Sequence, residues 1–116
     1  ISLGLVGSEM CIRDRWSHAR ECLDITTVVY ANHAYDILRM ELQRVGAQSG
    51  GQQPGPKAKA LLDLNSPALD FVRIAEGMGV PARRVATAEE LADALRWAFD
   101  EPGPHLIEAT VPSLGD

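Results

Sequence analysis

Asn32 is the residue of this sequence best placed to hold a ligand. It follows a run of mostly β-branched and aromatic residues, positions 25–31, that predicts a strand buried on both faces of a parallel sheet. Ligands of α/β proteins bind outside the carboxyl ends of parallel strands, so its side-chain oxygen is suited to a hard cation such as Mg²⁺ or to a phosphate. A helical pattern resumes at Tyr35, and its free N–H groups would favour the same anion. The alternative is that Asn32 only makes a turn.

The remaining chemically capable side chains carry weaker signals. The histidines share no metal-ligand spacing and are expected to be structural or solvent-facing, although the second borders the Asn32 turn: His18, His33 and His105. Cys22 is expected in the core rather than as a nucleophile. Four glutamates are assigned to helix capping or to structural contacts: Glu76, Glu89, Glu90 and Glu108. The sequence offers no nucleophile–base pair, so no catalytic residue is predicted in it.

Composition predicts a globular domain that binds neither nucleic acid nor membranes. The 116 residues are enough for one domain, with 46% hydrophobic and 23% charged residues. A net charge of −5 argues against a basic nucleic-acid-binding face, and the apolar runs are too short to span a bilayer. Two cysteines, Cys11 and Cys22, match neither a disulfide framework nor a metal motif, so a reducing, cytoplasmic location is expected.

The first fifteen residues are expected to be foreign to the native protein. Residues 5–14, L-V-G-S-E-M-C-I-R-D, correspond in one continuous frame to the translation of a transposase adapter used to build sequencing libraries. Such scars carry no folding signal, so the native sequence is taken to start near Trp16. The alternative is a native strand built from S-L-G-L-V-G.

Downstream of residue 15, helical and strand patterns alternate in the order α-β-α-loop-α-β-α-β. Strands are predicted at residues 25–31, 82–86 and 105–111. The second helix is predicted at residues 35–45, and Gly46 should end it. Residues 47–60, rich in Gly and Pro, are expected to form a flexible loop, either a solvated connector or a segment that folds over a site. The alternation indicates an α/β fold with a partial parallel sheet flanked by helices.

Two further helices have clear start signals. Ser66 is expected to cap the third helix, with Pro67 at its first position. Its predicted buried stripe consists of Phe71, Ile74, Ala75 and Met78. A T-x-x-E capping box at Thr87 starts the last helix, and the side chains expected to be buried there are Leu91, Leu95, Ala98 and Phe99.

Three segments resemble the C-terminal part of thiamine-diphosphate-dependent enzymes of the acetolactate synthase and benzoylformate decarboxylase group. They read L-D-I-T-T-V-V-Y-A-N-H-A-Y-D-I-L at 23–38, L-D-F-V-R-I-A-E-G-M-G-V-P-A at 69–82 and E-P-G-P-H-L-I-E-A at 101–109. The similarity includes the spacing between segments and covers essentially all of residues 16–116. It implies that these residues are a truncated C-terminal thiamine-diphosphate-binding domain of the PP type.

The resemblance also implies a cofactor site. In this family an Asn gives its side-chain oxygen to a Mg²⁺ that carries the cofactor diphosphate, and Asn32 matches that Asn. Ala34 matches the position whose main-chain oxygen is a further metal ligand, and Tyr35 lies in the turn against the diphosphate. Leu38 matches a position that often faces the substrate pocket.

The chain departs from the family where that site begins. The family motif opens with Gly-Asp-Gly, whose Asp should lie close to Leu5, inside the adapter-like segment, so the metal would lack its carboxylate. One amide and one carbonyl oxygen hold Mg²⁺ weakly, because this ion dehydrates reluctantly. The family also needs a second domain, whose glutamate activates the thiazolium ring. The fragment itself is therefore expected to be inactive.

The resemblance implies that the parent protein is an enzyme dependent on thiamine diphosphate and Mg²⁺ that acts on a 2-oxo acid. The leading prediction is an acetolactate synthase-like catalytic (large) subunit, which joins the decarboxylated product to a second carbonyl compound. A benzoylformate-type decarboxylase is the alternative within the family, and a small non-catalytic α/β binding module is the alternative outside it. Because the family's sites form between subunits, the parent is expected to be a homo-oligomer, a dimer or tetramer.

Overall fold

The computed structural model describes residues 10–48, 50 and 55–113 of the chain. Helices and strands in these residues run in the order α1 Met10–Arg20, β1 Thr26–Ala31, α2 Asp36–Gln48, α3 Pro56–Leu61, α4 Phe71–Gly77, β2 Ala82–Val85, α5 Ala88–Asp100 and β3 His105–Thr110. Of the helices described, none is both long and apolar enough to cross a membrane. The adapter-like segment lies outside the described residues up to residue 9, and its foreign origin stays a prediction.

The three strands form one parallel sheet in the order β1-β3-β2. β3 lies in the centre, where residues 105–109 are all buried. This architecture confirms the predicted α/β class. The predicted burial of β1 on both faces holds for most of the strand, since Thr26, Thr27 and Val28 are all buried. Tyr30 is the exception: it is 54% exposed, because β1 lies at the edge of the described sheet.

Helices cover both faces of the sheet, as the alternation of side chains along β3 requires. Ile107 points to one face and joins a cluster with Val28 of β1, Val85 of β2 and Ala98 of α5. Leu106 points to the opposite face, where its cluster includes a buried residue of α4 and partly buried side chains from α1 and both other strands. Neighbouring residues of β3 therefore pack against helices on opposite faces of the sheet.

The chain divides into two compact units, Ile1–Ala31 with Asp70–Val111 and Asn32–Leu69 with Pro112–Asp116. The first contains the sheet, and the second contains α2 and α3. The helix α2 continues two residues past Gly46, so the prediction that this glycine ends it was wrong. A short helix, α3, begins with Pro56 at its first position and replaces the second half of the predicted loop. Residues 49 and 51–54 of that loop lie outside the described residues.

The cap of α4 differs from the prediction, whereas the cap of α5 confirms it. Asp70, not Ser66, caps α4: its carboxylate accepts a hydrogen bond from the Arg73 N–H at 3.0 Å. The helix starts later than predicted because Ser66 lies in a turn between Asn65 and Ala68, which form an isolated antiparallel bridge. The N–H of Arg73 lowers the pKa of Asp70, since this hydrogen bond favours the ionised carboxylate.

The apolar face of α5 is shifted from the predicted one. Its buried centre consists of Ala94 and Ala98, with Leu91 and Leu95 packed against the core. Phe99 is 57% exposed, so its predicted burial was wrong. The small alanines allow α5 to approach the sheet closely, and the bulky ring lies at the border of the face that they define. Both bonds of the predicted capping box at Thr87 are present.

Candidate functional site

Asn32 directly follows the last residue of β1, at the carboxyl end of the strand, and is half-buried. Its Nδ2 donates a hydrogen bond to Oδ2 of Asp36 at 2.9 Å. Its Oδ1 accepts a longer one, 3.4 Å, from the N–H of Ala34. The two contacts agree on which end of the amide carries the oxygen. Because a carbonyl oxygen has two lone pairs, Oδ1 retains acceptor capacity beyond this bond.

The backbone of Ala34 is held so that its own polar groups face Asn32. Ala34 pairs with Asp63 in an isolated antiparallel bridge. The hydrogen bonds of this bridge belong to the neighbouring residues, from Leu64 N–H to the His33 oxygen and from Tyr35 N–H to the Leu62 oxygen. In such a pair the central residue directs its N–H and C=O outward. The Ala34 carbonyl oxygen therefore lies on the same side as its N–H, which contacts Asn32.

His33 makes the sharp bend between these two residues. Its φ of 52° lies in the left-handed region, which costs an L-residue roughly 1–2 kcal/mol. The bend brings the His33 carbonyl to the N–H of Leu64 at 2.9 Å, and this bond offsets part of that cost. The half-buried His33 thus borders the Asn32 turn, as predicted, and contributes through its backbone. Strained backbone of this kind is concentrated at functional sites.

Asp36 is the site residue that the sequence prediction missed. It is the first residue of α2 and is only 8% exposed. Its carboxylate accepts a hydrogen bond from the Asn32 NH₂ group. The Arg39 guanidinium lies 3.8 Å from its other oxygen and donates a hydrogen bond to the Ser113 hydroxyl at 3.0 Å. No local sequence signal reveals this contact, because Asn32 lies outside α2 and meets Asp36 only through the bend at His33.

Tyr35 and Leu38 both have side chains that are about half exposed. The N–H of Tyr35 belongs to the bridge with the α3 region, and its side chain is 49% exposed. Leu38 is 52% exposed and lines an open groove of about 420 Å³. The other groove residues come from α2, α3 and the residue after α3: Glu41, Leu42, Val45, Ala58, Leu61 and Leu62. Leu38, Leu42 and Val45 share the predicted helical face, which lines this groove.

The donor set at Asn32 suits a hard cation. It offers an amide oxygen and, on the same side, the carbonyl oxygen of Ala34, and oxygen is the ligand that Mg²⁺ requires. Across the described residues no hydrogen bond ends on that carbonyl oxygen. No group of three or more His, Cys, Asp or Glu residues in the described chain forms a metal cluster. The residues present thus fit part of the ligand set of a Mg²⁺ ion, and further ligands would be needed to complete it.

The weaker candidates have structural roles in the described chain. Glu108 is 1% exposed and paired with Arg84, which confirms its structural assignment. His105 is buried edge-on against Trp97, with ring centroids 4.7 Å apart. Burial is the main cause that lowers the pKa of the half-buried His18. Cys22 is exposed in the turn after α1, so its predicted core position was wrong.

Comparison with known families matches residues 7–109 to the family described as thiamine pyrophosphate enzyme, C-terminal TPP binding domain. Over 109 residues the chain is 69% identical to a Mycobacterium tuberculosis protein named as an acetolactate synthase large subunit, IlvX; the match covers 93% of this chain and 21% of that protein. Over 115 residues it is 31% identical to the benzoylformate decarboxylase of Pseudomonas aeruginosa, covering 97% of this chain and 20% of the relative.

A solved structure of the same family also matches this chain. The thiamine diphosphate-dependent 4-hydroxybenzoylformate decarboxylase of Rhodococcus jostii superposes with a TM-score of 0.72 at 31% identity, over 90% of this chain and 18% of that one. The chain spans about a fifth of the length of these relatives. These matches favour a domain of a thiamine pyrophosphate enzyme over a small unrelated binding module.

Proposed function

We propose that this chain, which belongs to the family of C-terminal TPP-binding domains of thiamine pyrophosphate enzymes, supplies one wall of the cofactor site of an enzyme acting on 2-oxo acids. The observation that carries the proposal is the pair of oxygens at the end of β1. Oδ1 of Asn32 and the carbonyl oxygen of Ala34 lie on one side of a turn that a backbone bridge holds in place.

In this proposal the two oxygens bind Mg²⁺, which in turn carries the diphosphate of thiamine diphosphate. Asp36 makes the metal necessary: a buried carboxylate at the start of α2 repels a bare diphosphate and attracts a divalent cation. Tyr35 lies in the turn beside the diphosphate, and Leu38 contributes to the substrate pocket. When bound, the cofactor supplies the electron sink that allows a 2-oxo acid to lose CO₂.

The reaction proposed for the parent protein is carboligation of the acetolactate synthase type. The support is the 69% identity to the M. tuberculosis relative of that name. Decarboxylation of the benzoylformate type is the second candidate, supported by the R. jostii structure and the P. aeruginosa relative. In both cases the rest of the protein, and in an oligomer a second copy, would supply the missing carboxylate ligand and the glutamate that activates the cofactor. A cytoplasmic location belongs to the same proposal.

Metal-dependent binding of thiamine diphosphate by this 116-residue chain tests the proposal. We expect weak binding that saturation-transfer NMR detects on the ligand signals when Mg²⁺ is present and that EDTA abolishes. Thiamine without the diphosphate, the matched control ligand, should give no transfer with Mg²⁺. Transfer that survives EDTA, or equal transfer to thiamine, contradicts the proposed metal and diphosphate wall. Tight binding would contradict the view that the site in this chain is incomplete.

A further inference from the structure

We propose that Asp36 is a positioning residue that fixes the amide of Asn32 with its oxygen directed at the metal. This inference rests on the proposed function, because it assigns the orientation of a residue in that same site. It concerns a carboxylate which the family resemblance does not include among the site residues. The contacts of Asp36 with Asn32 and Arg39 carry it, and these three residues lie within one compact unit of the chain.

The hydrogen-bonding chemistry of Asn32 and Asp36 allows only one orientation of the Asn32 amide. An ionised carboxylate only accepts hydrogen bonds, so the end of the Asn32 amide that faces Asp36 must be the NH₂ group. The observed distance of 2.9 Å from Nδ2 to the Asp36 oxygen is that of a well-formed hydrogen bond. Turning the amide around would place two oxygens against each other in a site where the carboxylate is 8% exposed. Oδ1 therefore faces away from Asp36, towards the N–H of Ala34.

Asp36 can orient Asn32 because it is itself held in place. Arg39, one helical turn further along α2, has its guanidinium 3.8 Å from Oδ1 of Asp36. Both side chains are largely buried: that of Asp36 is 10% exposed and that of Arg39 is 23% exposed. The guanidinium is anchored in turn by the hydroxyl of Ser113, at 3.0 Å.

The substitution Asp36→Asn removes this preference for one orientation of the Asn32 amide, without changing the size of the side chain at position 36. An amide both donates and accepts, so either end of Asn32 finds a partner, and its oxygen is directed at the metal only part of the time. Groups that orient a metal ligand typically change metal affinity by 10–100-fold when they are lost. We therefore expect D36N to weaken Mn²⁺ binding in the presence of thiamine diphosphate by about tenfold.

The first readout needs no ligand. In the wild-type chain the side-chain NH₂ of Asn32 should exchange its protons slowly with water, because one of them is bonded to Asp36. In D36N the exchange should be about tenfold faster, because the bond to a charged carboxylate is replaced by a weaker bond to a neutral amide that forms only part of the time. The matched control is Asp93→Asn, which changes an exposed carboxylate of α5 whose bond goes to the guanidinium of Arg96. D93N should leave the Asn32 signal unchanged.

The second readout is the broadening of the Ala34 amide signal by Mn²⁺, titrated with thiamine diphosphate present. D36N should require about ten times more Mn²⁺ for the same broadening, and D93N should behave as the wild type. Unchanged exchange at Asn32 in D36N overturns the inference, with or without metal binding. Faster exchange with an unchanged Mn²⁺ titration overturns it as well. A wild-type chain that shows no broadening contradicts the proposed function instead, while the exchange rates still decide the orientation by Asp36.

Discussion

Replacing Arg84 with methionine is expected to lower the free energy of unfolding by about 3 kcal/mol, because it leaves a buried carboxylate without its partner. Glu108 lies in the central strand and is 1% exposed. Arg84, on the neighbouring strand, reaches it through Nε and Nη2 at 3.1 Å each, and Nη2 also lies 2.9 Å from Asp70. These hydrogen bonds, first the one to Glu108, raise the pKa of Arg84. Methionine keeps the apolar stem but no charge.

The matched control for this variant is Arg96→Met. Arg96 contacts Asp93 at 2.8 Å, but both side chains are about three-quarters exposed, so the loss should stay below about 0.5 kcal/mol. Urea denaturation of both variants measures the difference. Adding Glu108→Gln to the Arg84 variant should recover part of the loss, because it removes the buried charge. Equal losses in the two arginine variants would mean that water reaches Glu108.

Ile107→Ala is expected to cost about 3–4 kcal/mol. Ile107 is fully buried in the central strand, where it contacts side chains from both neighbouring strands and from α5. Its truncation leaves a cavity that the sheet cannot close, since the strand is fixed by hydrogen bonds on both sides. The matched control is Ile37→Ala in α2, where the side chain is 72% exposed and the change should stay within about 0.5 kcal/mol. Similar losses at both positions would contradict the described core.

Much of this fold can be predicted from local sequence patterns. Where the structure differs from the prediction, the cause is packing between elements that are distant in sequence. The β-branched run before Asn32 predicts β1, and the capping box predicts the start of α5, since both signals act within a few residues. The exposure of Tyr30 is different, because no local pattern says that β1 lies at the edge of the described sheet. The exposure of Phe99 depends likewise on which residues of α5 face the sheet.

The candidate site likewise contains residues that the sequence predicts and residues whose roles depend on tertiary structure. Asn32 is predictable because a polar residue at the end of a buried strand is a recognised position for ligands. Asp36 was missed because its role depends on the left-handed bend at His33, which turns the chain back so that Asn32 and Asp36 meet. The backbone direction of Ala34 depends on a bridge to Asp63, far along the sequence. A pattern of residue types contains neither the bend nor the bridge.

The central claim is that Asn32 and Ala34 bind a divalent cation together with thiamine diphosphate. Mn²⁺ in place of Mg²⁺ locates that cation directly, because it broadens the NMR signals of nearby amides. With thiamine diphosphate present, we predict selective broadening of residues 32–36 over residues 43–46 at the far end of α2. Asn32→Ala should abolish it, and Asn65→Ala, at the chain's other asparagine, should retain it. Broadening that is absent, that centres elsewhere in the chain, or that persists in Asn32→Ala would contradict the account.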